Sequence, residues 1–243
     1  GQTDNQVWTF KEGTYVLSAD VDLTNVSDED VPNGAKTAGW TMPIYADITI
    51  SGAGVGKTIL KTDDDRENGA WNTQNFITVF ADGVEIKDMT ILGKSVNANK
   101  SIEVLGDNFS ISDVVLGDPE QNHCGSLYFN EANAVSVDTV TVNNSWISTS
   151  TEGTLTLTDV TVNTEKLPEE YTTGSYKPIN FKGVNTTGSS NVVVNIENWT
   201  IEDYEIPEFV TMNVNGLLKV NGNLTGTGTI AGDGVVEFGP DAS

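Results

Sequence analysis

The densest set of chemistry-bearing side chains in this chain is the run Asp63-Asp64-Asp65-Arg66-Glu67, which holds its only arginine. Carboxylates crowded this closely can supply oxygens to a hard cation such as Ca²⁺, with Asp63, Asp65 and Glu67 as donors. A neighbouring base could then work on an acidic proton, which makes Arg66, Asp64 and Asp65 the candidate catalytic residues. The competing reading is a solvated acidic loop with one surface ion pair, and the spacing matches no regular Ca²⁺ loop. The expectation is therefore no cofactor, or Ca²⁺ at this loop, and a chain that leans away from being an enzyme.

Other constellations dissolve on inspection. His123 and Cys124 are the only histidine and cysteine. Adjacent residues on an extended strand point to opposite faces, so they make a poor nucleophile–base dyad, and two ligands make a poor zinc site. Gly52-Ala-Gly-Val-Gly-Lys57-Thr58 imitates a phosphate-binding loop, but the position that must be the first glycine is Ser51 and no helix follows. That leaves the aromatics. Flat aromatic faces suit sugar rings, and Trp71, Trp146, Tyr128, Tyr171 and Tyr176 follow or lie in polar stretches; together they form the candidate sugar platform. Half-buried packing is the alternative for each of them.

Charge narrows the partners. The chain carries 35 acidic residues against 12 Lys and Arg, a net charge of −23. Such a surface repels nucleic acid and anionic membranes, whose binding depends on Lys and Arg. It also repels a polyuronate unless a cation bridges the two. No apolar run approaches the roughly 18 residues of a membrane helix, and one cysteine excludes an internal disulfide. The expected partner is a glycan, with a protein partner as a further option.

The elements that must position these residues announce themselves as a repeat. Val84-Glu-Ile86-Lys-Asp88-Met89-Thr-Ile91 returns at Phe109–Leu116, Val135–Val142, Leu155–Val162 and Val194–Ile201. In each copy apolar residues alternate, then slip by one: Leu155 and Leu157 are followed by Val160 and Val162. A one-residue slip turns the second half inside out unless the backbone bends. The residue at the slip is Asp88, Asp113, Thr139, Asp159 or Asn198, mostly types that tolerate a left-handed conformation or bond their own backbone. The motif is thus strand, one-residue corner, strand. Short strands at Ile77–Val79, Ile102–Val104 and Leu127–Phe129 keep step, and Ile179-Asn-Phe181 takes the same slot after an insertion at 163–191.

The strings Ile48-Thr-Ile-Ser-Gly-Ala-Gly-Val-Gly-Lys-Thr-Ile-Leu60 and Phe76-Ile-Thr-Val-Phe-Ala-Asp-Gly-Val-Glu-Ile-Lys-Asp-Met-Thr-Ile-Leu-Gly93 resemble the first coils of pectate-lyase-like β-helix proteins. The chain is also similar to acidic β-helical surface lipoproteins of gut Bacteroidetes. The resemblance implies a right-handed, single-stranded parallel β-helix, all-β, with distinct N- and C-terminal caps. It also implies a glycan-associated protein outside the cell or on a bacterial surface, lipid-anchored before processing. Lyases of that fold use an Arg or Lys base, commonly with Ca²⁺. Its hydrolases share an Asn-Thr-Asp, Asp-Asp, Gly-His-Gly and Arg-Ile-Lys set, of which only paired aspartates occur here, and His123 sits in Asn-His-Cys-Gly.

The expectation is therefore one domain over 1–243: a cap at 1–45, regular coils at 46–212, and final coils or a cap at 213–243. Its function is expected to be non-catalytic glycan binding, with an atypical lyase or hydrolase as the alternative and a structural or adhesive module as the third reading.

Overall fold

The computed structural model describes residues 2–17, 25–27, 42–62, 75–93, 101–120, 126–150, 153–165, 179–181, 183–240 and 242. Within them the chain forms strands and turns with no helix, and all the strand pairs are parallel. It is an all-β parallel β-helix.

The corner motif is seen directly. The strands β7 (Glu85–Leu92), β9 (Ser110–Leu116), β11 (Val135–Asn143) and β13 (Gly153–Asn163) stack in that order. Each bends at a left-handed residue: Asp88 (φ 59°), Asp113 (52°), Thr139 (54°) and Asp159 (52°). Aspartate adopts this region at modest cost; a β-branched threonine does so less readily. Thr139 is tied down by its hydroxyl, which donates to Asp138 Oδ1 at 3.0 Å. The bend lets both arms of one strand face the interior, giving two of the three walls.

The third wall is a sheet ordered β3 (Met42–Ile44), β6 (Ile77–Val79), β8 (Ile102–Val104), β10 (Leu127–Phe129), β12 (Ile147–Thr149) and β14 (Ile179–Asn180). Its inner row, Met42, Ile77, Ile102, Leu127, Ile147 and Ile179, is buried throughout and in register. The slot expected for Ile179 is the one it occupies.

The first coil is built from β1 (Gln6–Thr9) and β2 (Gly13–Leu17), which pair with β4 (Ile48–Ser51) and β5 (Thr58–Thr62). One interior ladder then runs the length of the stack: Tyr15, Leu60, Ile91, Leu116, Val142, Val162, Val194, Met212, Ile230. Seven middle rungs of it are fully enclosed, which is where the hydrophobic stabilisation of a solenoid resides.

The fifth coil departs from expectation. β16 (Ser190–Ile201) lies on β13 with Val192 opposite Val160 and Val194 opposite Val162. The residue at the corner is therefore Asn191, left-handed at φ 51°, and not Asn198. Asn191 stacks on Asp159 through a side-chain hydrogen bond. The Val194–Ile201 copy of the motif is real, but it turns the next corner. There Ile196 pairs with Val214 and Asn198 with Leu217 of β18 (Val210–Val220), with a bulge between. On the first wall, β15 (Val184–Asn185) covers only Gly153 and Thr154 of β13. From β16 onward the stack uses a wall with no strand beneath it among the described residues, plus a side made by β17 (Tyr204–Ile206) and β19 (Leu224–Gly226). β20 (Thr229–Ala231) and β21 (Val235–Phe238) continue on β18 in parallel. The described C-terminal residues thus form further coils, with β18 spanning Val210–Val220.

Candidate functional site

The strands β6, β8, β10 and β14 of the third wall are each reached from a segment outside the described residues: 63–74, 94–100, 121–125 and 166–178. Every long connection in this part of the chain thus leads to one sheet, and its non-core row reads Pro43, Thr78, Glu103, Tyr128, Ser148 and Asn180. Alternation forces these side chains away from the core that holds Ile77, Val79, Ile102 and Val104.

That row carries a polar clamp. Glu103 is the only buried carboxylate among the described residues. Its Oε2 accepts from Asn75 Nδ2, and its Oε1 accepts from Asn130 Nδ2 at 3.2 Å. Asn75 also reaches Thr78 Oγ1 at 3.4 Å, and Ser150 Oγ donates to Asn130 Oδ1 at 3.0 Å. A carboxylate removed from water needs such donors, and amides supply them without neutralising its charge. The clamp also fixes the strand next to Tyr128. Pro43, Thr78, Glu103 and Ser148 are covered, Tyr128 is half-buried and Asn180 at the β14 end is exposed; on the neighbouring positions Asn130 is half-buried and Ser150 exposed.

Tyr128 and Trp146 are brought together. Leu127 lies opposite Ile147, and the Leu127 amide donates to the Trp146 carbonyl at 3.1 Å. Tyr128 lies in β10 and Trp146 immediately precedes β12, two register positions apart; both are half-buried, and Trp146 packs against the core. Of the other predicted site residues, Asp63, Asp64, Asp65, Arg66, Glu67, Trp71, Tyr171 and Tyr176 lie outside the described residues, as do His123 and Cys124. Among the described residues no group of three or more His, Cys, Asp or Glu is arranged to hold a metal ion.

A second polar feature went unpredicted. Asn143, Asn163, Asn195 and Asn213 occupy one register position on successive strands. Asn213 Nδ2 donates to Asn195 Oδ1 at 2.8 Å, Asn195 to Asn163 at 2.7 Å and Asn163 to Asn143 at 2.8 Å. The ladder ends where Asn143 Nδ2 meets the Gly117 carbonyl at 3.1 Å, one rung further on. A cleft of about 330 Å³ opens beside it, lined by Pro119, Asn144, Asn163, Thr164, Glu165, Asn195, Glu197 and Asn215. Asn144 in its wall is separated from Trp146 by Ser145 alone. The signal was present in the sequence, since an asparagine closes the apolar arm at Val142-Asn143, Val162-Asn163, Val194-Asn195 and Met212-Asn213.

The turn carboxylates have structural work. Asp47 N donates to Asp4 Oδ1 at 3.0 Å, Asp107 N to Asp82 Oδ1 at 2.7 Å, and Asn133 N to Asp107 Oδ1 at 2.8 Å. Each caps the amide of the next coil.

Comparison with known proteins adds little beyond shape. No protein-family model matches the chain, and no curated protein does. Among solved structures it is similar to the A-module of a mannuronan C-5 epimerase from Azotobacter vinelandii. The two share 12% identity over 98% of this chain and 90% of that one, with a TM-score of 0.31. At that distance the likeness carries nothing about chemistry, and the site must be argued from its own residues.

Proposed function

We propose that this β-helix is an exported or surface-displayed glycan-binding module that holds its ligand without turning it over. The observation that carries the reading is placement on neighbouring rungs of one wall: half-buried Trp146 at the start of β12 and half-buried Tyr128 on β10, itself paired with the amide-clamped Glu103. Aromatic rings give a flat apolar surface for sugar rings, and the neighbouring amides and carboxylate offer both donors and acceptors for hydroxyls. The platform of Trp71, Tyr171 and Tyr176 belongs to this proposal through the segments that feed β6 and β14. The strongly negative charge argues against nucleic acid as the competing ligand.

Binding is tested by calorimetric titration of a panel of soluble polysaccharides. At least one should bind, and Trp146→Ala should weaken that binding by about tenfold, the scale of about 1.4 kcal/mol, with the fold intact by circular dichroism. No binding to any polysaccharide overturns the proposal. Fractionation of the native host tests the location, with the protein expected outside the cytoplasm.

One observation favours a second reading, an atypical glycan-cleaving enzyme: among the described residues a single carboxylate, Glu103, is buried, and it lies against amides. Polysaccharide cleavage that disappears in Glu103→Gln would replace the first reading with this one. Arg66→Ala tests the lyase form of it, with Ca²⁺ held by Asp63, Asp65 and Glu67.

A further inference from the structure

The amide ladder and the cleft beside it form a second polar surface, distinct from the clamp around Glu103. Asn163 and Asn195 each spend one N–H and one oxygen acceptance on their ladder neighbours. An amide has two N–H donors and two acceptor lone pairs, so Asn163 and Asn195, both in the cleft lining, keep one of each for a ligand. The ladder bonds also hold every amide in a fixed orientation, which lowers the ordering cost of binding. Spacing follows the coil rise of about 4.8 Å, so donors and acceptors repeat along the cleft at that interval. Thr164 is held in the wall by its hydroxyl, which donates to the Asn195 carbonyl at 3.0 Å.

Two carboxylates complete the cleft. Glu165 is exposed and Glu197 half-buried, and neither has an ion-pair partner among the described residues. No Lys or Arg appears among the described lining residues. Glu197 is also built in. It sits in the bulge opposite Gly216, where a Cβ would come within 2.0 Å of the Glu197 carbonyl oxygen and 3.2 Å of its Oε1. The backbone approach that presents this carboxylate therefore requires glycine at 216.

Together these observations set the charge of what can fill the cleft. A uronate would bring its carboxylate beside Glu165 and Glu197 with no compensating cation among the described residues, an arrangement that costs affinity even at the dielectric of a protein surface. Among the described residues a hydroxyl-rich, uncharged sugar meets amides, a threonine, a proline and acceptor oxygens. Resting on the glycan-binding reading above, we propose that this cleft is a subsite for uncharged glycans, with Glu165 and Glu197 as the residues that exclude polyuronates.

The test uses the full chain, with cellohexaose, mannohexaose, xylohexaose and hexagalacturonate titrated calorimetrically in the presence of EDTA. Wild type is expected to bind at least one neutral hexasaccharide and not hexagalacturonate. The E165Q/E197Q variant should gain hexagalacturonate binding by at least about tenfold. Asn195→Leu should weaken the neutral ligand by about tenfold, since it removes two ladder bonds and one set of ligand contacts. Equal binding of hexagalacturonate by wild type, or no change in E165Q/E197Q, overturns the proposal. So does hexagalacturonate binding that appears on adding Ca²⁺ to wild type, which would make the cleft a cation-bridged uronate site. If Trp146→Ala abolishes binding while both cleft variants behave as wild type, the glycan-binding reading stands and this inference falls. If no saccharide binds to any form, both fall.

Discussion

A left-handed residue at each corner turns a parity slip into a bend, and strain there is what the side-chain type controls. Asp159 is exposed, so its identity matters through backbone conformation and through its contact with Asn191. Asp159→Val should cost about 2 kcal/mol, because a β-branched residue pays about 1–2 kcal/mol in this region and the contact is lost as well. Asp159→Gly, free of that strain, should stay within about 1 kcal/mol of wild type; urea denaturation compares the two. Tyr204 offers a pH-dependent counterpart. Burial pushes its phenol pKa well above the ordinary value, while the unfolded chain titrates near about 10. Between those values the folded state binds more protons than the unfolded one, so stability falls as pH rises. That part of the decline above about pH 10 should vanish in Tyr204→Phe. Below it, the variant should be weaker by about 1 kcal/mol, since the bond from the Tyr204 hydroxyl to the Ile179 carbonyl is gone. Chemical denaturation across pH checks both parts.

At the scale of the strand, two copies of one local pattern do different jobs. Leu155–Val162 bends at Asp159 on the first corner, while Val194–Ile201 bends at the bulge opposite Asn215 and Gly216. The second has no left-handed residue at Asn198 and depends instead on a close backbone approach. Gly216→Ala should therefore destabilise by about 1–3 kcal/mol, the cost of forcing an extra methyl into packed structure. A thermal melt reads it, and a melt unchanged from wild type would remove the bulge as the cause of the new wall. The same logic explains the candidate site. Trp146 and Tyr128 are 18 positions apart in the chain, and only the pairing of β10 with β12 makes them neighbours.

For the molecule as a whole, stability is a sum over stacked coils, and its two ends are finished differently. The first coil turns Trp8, Phe10 and Tyr15 against the core, with the Phe10 and Tyr15 rings edge-to-face at 5.0 Å. At the other end Ile230 and Phe238, whose partners Met212 and Val220 are buried, remain 42% and 53% exposed. Hydrogen exchange should therefore release the amides of β19, β20 and β21 first and those of β9, β11 and β13 last, since protection follows local apolar burial. Uniform exchange along the stack would show instead that the coils open as one unit.

The sequence by itself determined the β-helix, because a period-two pattern with a slip at an Asp or Asn corner has one physical solution when it recurs. It also determined which residues face inward, Leu155, Leu157, Val160 and Val162 among them. It ranked aromatics as the sugar platform and placed Tyr128 and Trp146 in it. What it could not determine was which corner a given motif turns. Local alternation reports only that the chain bends, whereas the corner is assigned by the strand stacked beneath, across insertions of arbitrary length. For the same reason the clamp of Asn75, Glu103 and Asn130 and the cleft between Glu165 and Glu197 were invisible. Their residues are scattered along the chain, and the spacing of the rungs, not the spacing of the sequence, brings them together.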